Sequence, residues 1–419
     1  MTVRSETLPN GMRVVTHRMD TVETVSLGVW VHVGTRHERP EVNGVSHLLE
    51  HMAFKGTERR SARRIAEEIE AVGGYLNAYT SRELTAYTAT VLKEDVALAV
   101  DIVADILQHS VFDETELARE RAVVLQEIGQ AEDTPDDIVF DMFQEAAFPD
   151  QPMGRPVLGR ADIVGSMPRN ALVDYLATHY AAPRMVLSAA GNLDHAALVD
   201  AAARAFDSLP AGTRSAPDGA RYGGGERRED RDLEQAHLVV GFEGIPYADP
   251  DYYAQSVYST ILGGGMSSRL FQEIRENRGL VYSIYSFSSS YQDSGLFGVY
   301  AGTGDEQVQE LVPVLCDEMR ATARGIGEDE LKRARAQLRA GILMSLESTS
   351  SRCEQLARQL IFYNRAVPID EISAGIEAVG AAQVERVVHR LMSKPPALAA
   401  IGPLEHLETF DAIRGRLAG

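Results

Sequence analysis

The amino-acid sequence predicts an α+β protein of two homologous domains, each a mainly antiparallel sheet with helices packed on one face. Three observations lead there. The chain of 419 residues is too long for one typical core and suits two domains of about 200 residues each. A stretch rich in Gly, Pro, Arg and Asp, "LPAGTRSAPDGARYGGGERREDRD" (209–232), interrupts it without apolar periodicity. The flanking halves resemble each other in three places and in the same order, which argues for an internal duplication. The domains are expected at 1–210 and 233–419, joined by a linker at 211–232.

The elements follow in order. Asn10-Gly11 between "TL" and "MRVV" is a hairpin signal. In the first half, strands are expected at 24–33 ("TVSLGVWVHV"), 84–92 ("LTAYTATVL") and 184–190 ("RMVLSAA"). In the second half they are expected at 236–242, 294–303 and 396–401. "EEIEAVGGYLNAYTS" (67–81) and "QEIRENRGLVYSIYS" (272–286) each read as a helix end, a glycine stop and a strand. "DETELARERAVVLQEI" (113–128) matches "GEDELKRARAQLRAGI" (327–342) at an offset of 214, and "RMVLSAAGNLDHAAL" more faintly matches "PALAAIGPLEHLETF". Mixed strands and helices with hairpin-like connections favour antiparallel α+β layers.

Composition narrows the function. With 41 basic and 61 acidic residues, the net charge of −20 makes nucleic acid an unexpected partner. Acidic charge lining a cavity would favour basic ligands. No apolar run approaches the roughly 18–20 residues of a membrane span. "MTVRSETLPNG" has no apolar signal core and no Arg/Ser-rich presequence, so the expected location is the cytoplasm, or the chain is a trimmed mature form. Cys316 and Cys353 form no disulfide framework and are expected as buried thiols in a reducing compartment.

The chemistry concentrates in "HLLEHMAFKGT" (47–57). Helix positions i and i+4 share a face, so His47 and His51 can grip one ion. Glu50 leans over the same face. Zinc takes neutral imidazoles plus one further ligand and acidifies water to a pKa near 7, and a glutamate beside it can serve as base. The third ligand is sought in "ELARERAVVLQEIGQ" (116–130), a helix with Asp113 and Glu116 placed as a capping box. Glu120 and Glu127, seven apart, share a face that Val123 and Val124 are expected to turn inward. Carboxylates on such a face need a positive partner, either a metal or a neighbouring arginine, Arg119 or Arg121. At the 214-residue offset Glu120 falls on Ala334 and Glu127 on Gly341, and the second half has no His-x-x-Glu-His. The candidate ligands are missing from the second copy as a set, which favours the metal.

These residues resemble the inverted-zincin peptidases, the family of pitrilysin, insulin-degrading enzyme and the mitochondrial processing peptidase. The match runs through "HLLEH", Glu127, "HMAFKGT", "GGYLNAYT" and "FQEIRENRGLVYS", covers essentially the whole chain, and looks closest to the processing-peptidase-like branch. The resemblance implies a zinc metalloendopeptidase acting on unfolded peptides. It implies Zn2+ held by His47, His51 and Glu127, Glu50 as general base, and Glu120 as a carboxylate behind the ligands. Phe54, Asn77, Ala78, Arg275 and Tyr282 are implied as substrate-binding, with Asn77 and Ala78 on a strand edge that takes up the peptide. "LGGGMSSRLF" (262–271) is much shorter than the glycine-rich loop of the mitochondrial enzyme's non-catalytic partner, so presequence-type specificity is not implied. Two such domains resemble half of a clam-shell chamber. A homodimer is therefore expected, with a heterodimer of homologous subunits as the alternative assembly. The rival function is a non-catalytic peptide-binding or structural core subunit of the same fold.

Overall fold

The computed structural model describes residues 3–212 and 217–418. It contains two compact units. The first comprises Met1–Gly129, Arg155–Asp218 and Leu343–Val367; the second comprises Gln130–Gly154, Gly219–Ile342 and Pro368–Gly419.

The first unit is built on six strands: β1 (Val3–Thr7), β2 (Arg13–Arg18), β3 (Thr24–Val31), β4 (Tyr75–Thr80), β5 (Thr85–Leu92) and β6 (Met185–Gly191). Their order is β1-β2-β6-β3-β5-β4, antiparallel except for β2 with β6. The β1–β2 hairpin turns at Asn10-Gly11, where Asn10 Oδ1 accepts from Met12 N–H. Along β3, Val25, Leu27, Val29 and Val31 face the main core and Trp30 faces the other side, and all are buried. Burial on both faces means both are covered.

Helices α1 (Val45–Ala53), α2 (Ala62–Glu70), α3 (Val96–Gln108) and α4 (Glu114–Glu132) supply the main face with Leu48, Leu49, Met52, Ile65, Val103, Leu117 and Val124, among others. The other face carries helix Thr349–Tyr363, which comes from the second half of the sequence. Its Cys353, Leu356, Ala357 and Leu360 pack on Val15, Trp30, Ala86 and Val186. Burying the two leucines alone contributes about 3–6 kcal/mol.

The second unit repeats the plan. Strands β7 (Gly225–Asp230), β8 (Ala236–Glu243), β9 (Val281–Ser290), β10 (Gly295–Thr303) and β11 (Ala397–Gly402) run in the order β7-β11-β8-β10-β9. Only β7 with β11 is parallel. Its second face is covered by α5 (Pro135–Ala147), from the first half of the sequence, through Val139, Phe143 and Ala147. The two exchanged helices begin 214 residues apart, at Pro135 and Thr349, the same offset as the sequence repeat. The exchange is therefore reciprocal.

Two sequence expectations change. Residues 1–210 and 233–419 do not each close on themselves, because each sheet is covered by a helix of the other half. Periodicity shows that a helix has an apolar face but not which of two similar sheets receives it. The expected linker 211–232 lies partly outside the described residues, at 213–216, and its end is a strand. β7 reads "GERRED" and is largely exposed at a sheet edge, so it has no apolar pattern to detect.

Candidate metal centre

α1 is only nine residues long and needs help to start. Its N-cap, Gly44, has φ +96°, and a Cβ there would lie 2.7 Å from Val164 Cγ2 and 2.9 Å from Gly159 Cα. Glycine is therefore required, and it offers no capping side chain. The buried carboxylate of Glu38 does that work. It accepts from Gly44 N–H (2.9 Å), Asn43 Nδ2 (2.8 Å), Ser46 N–H (2.9 Å) and Ser46 Oγ (2.6 Å). Burial pushes its pKa up, against the lowering by these donors. An anion at a helix N-terminus is favoured by the unpaired amides there.

Leu48, Leu49 and Met52 anchor α1 in the core, which leaves His47, Glu50 and His51 on its partly open side. The imidazole centroids are 4.7 Å apart. α4 starts where expected, with Asp113 Oδ1 accepting from Thr115 and Glu116 N–H. Its inward face is Leu117, Glu120, Val124 and Ile128, while Val123 is exposed, contrary to the sequence expectation. A shift of one residue on a helix is a rotation of about 100°, and Val124 alone takes the core position.

Glu127 Oε2 lies 3.5 Å from His51 Nε2 and 3.7 Å from His47 Nε2. One ligand atom from each of the three residues lies within 4.8 Å of the others. Tetrahedral zinc with bonds of about 2.0–2.1 Å sets its ligand atoms roughly 3.3–3.5 Å apart, so the donor set fits the ion. His51 Nδ1 is 3.1 Å from Glu120 Oε2, which holds the ring with Nε2 on the side of Glu127. His47 is held down to about pKa 4, by burial first and by His51 second, and is neutral as a ligand must be. The cation beside Glu120 is Lys55, with Nζ 2.7 Å from Oε1. Neither Arg119, paired with Glu116, nor Arg121 takes that place. Lys55 lies beyond the end of α1 at Ala53, so helical spacing does not link it to His51 or Glu120.

Glu50 Oε2 accepts from Thr80 Oγ1 at 2.6 Å. Burial raises its pKa, Thr80 and His51 oppose that, and Glu127 adds to it. Thr80 ends β4, the outer strand of the sheet, which also carries Asn77 and Ala78. A groove of about 540 Å³ runs between this edge and the helices, lined by Glu50, Phe54, Lys55, Ile65, Ile69 and Asn77, among others. Arg275 and Tyr282 meet each other in the second unit: the guanidinium carbon lies 5.7 Å from the Tyr282 ring centre, and Tyr282 is 76% exposed. Neither Glu38 nor Thr80 was read as a site residue from sequence.

Two histidines and a glutamate converging from two helices, with a second carboxylate beside them and an open strand edge alongside, define a candidate zinc-hydrolase centre. The chain has relatives among known proteins. Residues 13–161 match the model described as Insulinase (Peptidase family M16), and residues 166–338 match the Peptidase M16 inactive domain. The chain is 40% identical over 397 residues to an uncharacterized zinc protease of Rickettsia felis, covering 94% of this chain and 96% of that one. It is 39% identical over 420 residues to the mouse mitochondrial-processing peptidase subunit beta, covering 97% and 86%. A chain in the structure of complex III2 from Candida albicans superposes with a TM-score of 0.89 at 22% identity, covering 99% of both chains. The chain belongs to the M16 peptidase family, the pitrilysin and processing-peptidase group its motifs resemble. Among the described residues no helix is long and apolar enough to cross a membrane.

Proposed function

We propose that this chain is a zinc metalloendopeptidase that hydrolyses unfolded peptides or protein segments. The observation that carries this is the spacing of His47, His51 and Glu127, which suits zinc, beside a carboxylate free to act as base. A bound zinc ion supplies a Lewis acid that polarises the scissile carbonyl and acidifies water. Glu50 takes the proton of the attacking water and returns it to the leaving amine. Glu120 fixes the tautomer and tilt of His51. The β4 edge at Asn77 and Ala78 receives the substrate as an added strand, which demands an extended chain. Phe54 lines the groove for a substrate side chain. With −20 net charge, basic peptides are favoured at low salt.

Arg275 and Tyr282 act from a second chain in a homodimer with two composite sites inside an enclosed chamber. The mouse relative is named a subunit, and this favours the alternative, a heterodimer with a homologous partner. The other alternative is a non-catalytic peptide-binding or structural subunit of the same fold. The complete set of ligands and base weighs against that one.

The test is digestion of a random peptide library, read by mass spectrometry, with and without chelator. Cleavage that stops with chelator and returns with zinc supports the proposal. A zinc-loaded chain that cleaves nothing refutes it.

A further inference from the structure

The geometry around Glu50 raises a question that the metal ligands leave open, namely what aims the base. Glutamate has three rotatable side-chain bonds, and the last is broad. Glu50 projects from α1, but Thr80, which donates to its Oε2, stands on β4. Thr80 is itself well fixed. It pairs with Thr85 on β5, and the turn beyond is closed by Ser81 N–H to Leu84 O (2.7 Å) and Leu84 N–H to Ser81 Oγ (3.1 Å). A β-branched side chain is stiff at χ1, so its hydroxyl has few directions to choose from. The same strand carries the open edge. There Ala78 N–H is satisfied by Asn77 Oδ1 at 2.9 Å, a local bond that an incoming strand would have to displace.

We propose that Thr80 is a positioning residue for Glu50, so that the strand which receives the peptide also sets the direction of the base. The inference rests on the peptidase function proposed above. Thr80 is assigned no contact with the metal ligands and acts on the base through its hydrogen bond to Glu50. Losing its hydroxyl slows the proton transfer and spares peptide docking and the metal.

Wild type, Thr80→Val, Thr80→Ser and Glu50→Gln are compared as zinc-loaded full-length proteins on one quenched fluorogenic peptide. Zinc content and melting temperature are recorded for each. Thr80→Val has nearly the shape of threonine without the hydroxyl and is expected to lower kcat about 10- to 100-fold, the scale of a misplaced catalytic group. KM stays within about twofold, since β4 and its edge are unchanged. Zinc content stays at the wild-type value, and the melting temperature falls by no more than the loss of one hydrogen bond to a part-buried carboxylate allows. Thr80→Ser, which keeps the donor, recovers most of kcat. The proposal is overturned if Thr80→Val keeps full kcat, if its loss appears in KM or zinc content, or if Thr80→Ser is as slow as Thr80→Val. If the wild type itself hydrolyses nothing, all four proteins read flat and the peptidase function falls with it. An active wild type beside an unaffected Thr80→Val sinks this inference alone.

Discussion

Replacing Glu50 by glutamine separates the proposed base from the proposed ligands more cleanly than any other single change. Glutamine has the same shape, and its Oε1 can still accept from Thr80 Oγ1, so the 2.6 Å bond survives. Burial raises the pKa of Glu50, meaning that the folded protein bears a cost for its charge, and a neutral amide removes that cost. The melting temperature is therefore expected to hold or rise. The three proposed ligands are untouched, so zinc content should also hold. Only the proton acceptor is lost. A positioned general base contributes about 10²–10⁴ in rate, equivalent to about 2.7–5.5 kcal/mol of barrier. The assay is kcat on a fluorogenic peptide, with zinc measured by plasma mass spectrometry on the same sample. A Glu50→Gln protein with full zinc and more than about a tenth of wild-type kcat would show that another group takes the proton.

Other expectations follow from the same structure. Mixing inactive Glu50→Gln chains with inactive Arg275→Ala/Tyr282→Ala chains under exchange should restore activity on the proposed shared site, since a mixed dimer would hold one intact composite site; exchange without recovery excludes the shared site. His17, His37 and His179 have pKa values depressed to about 4, about 3 and about 4, mainly by burial. Because these values lie below the unfolded one, the folded state binds fewer protons, and stability present above pH 6.5 is lost as pH falls toward 4. For buried His17 alone the loss between pH 7.5 and 5 is about 2 kcal/mol, so urea midpoints of metal-free protein should fall over that range, and constant midpoints contradict it. Leu356→Ala, in the exchanged helix, should cost about 2–5 kcal/mol in urea unfolding without loss of zinc, and a neutral change would mean the helix does not hold that face of the sheet.

What the sequence made legible was local. His47, Glu50 and His51 lie within five residues on one helix, and the apolar runs of β3, β5 and β6 mark buried strands within a residue or two of their ends. Glu127 was reachable because seven residues on a helix return nearly to the same face. What stayed hidden depends on distance along the chain. Glu38 reaches forward over a tight glycine turn to cap α1, and no periodicity links it to that helix. Thr80 meets Glu50 only once β4 lies beside α1. The destination of the exchanged helices was invisible for a different reason: the two sheets descend from one pattern, so an apolar helix face fits either in outline.

The packing around Glu120 bears on why the candidate metal residues are present in one copy and absent from the other. Glu120 is buried, and it is tolerable because Lys55 and His51 both meet it. Remove either partner and a buried carboxylate is left short of donors, at about 1–3 kcal/mol or more. Keep the partners and remove Glu120, and His51 loses the acceptor that orients it. A set that keeps Glu120 without Lys55 or His51 is therefore less stable than the full set or none. The second copy has taken the other stable solution. At the position of Glu120 it has Ala334, buried at no polar cost, and at the position of Glu127 it has Gly341, with open space where a side chain would stand. Its helix Tyr252–Gly263 likewise buries Val257, Ile261 and Leu262 and needs no ion. One fold thus reaches two self-consistent states: an apolar one that only has to pack, and a polar one whose buried carboxylate packs well only with its partners in place.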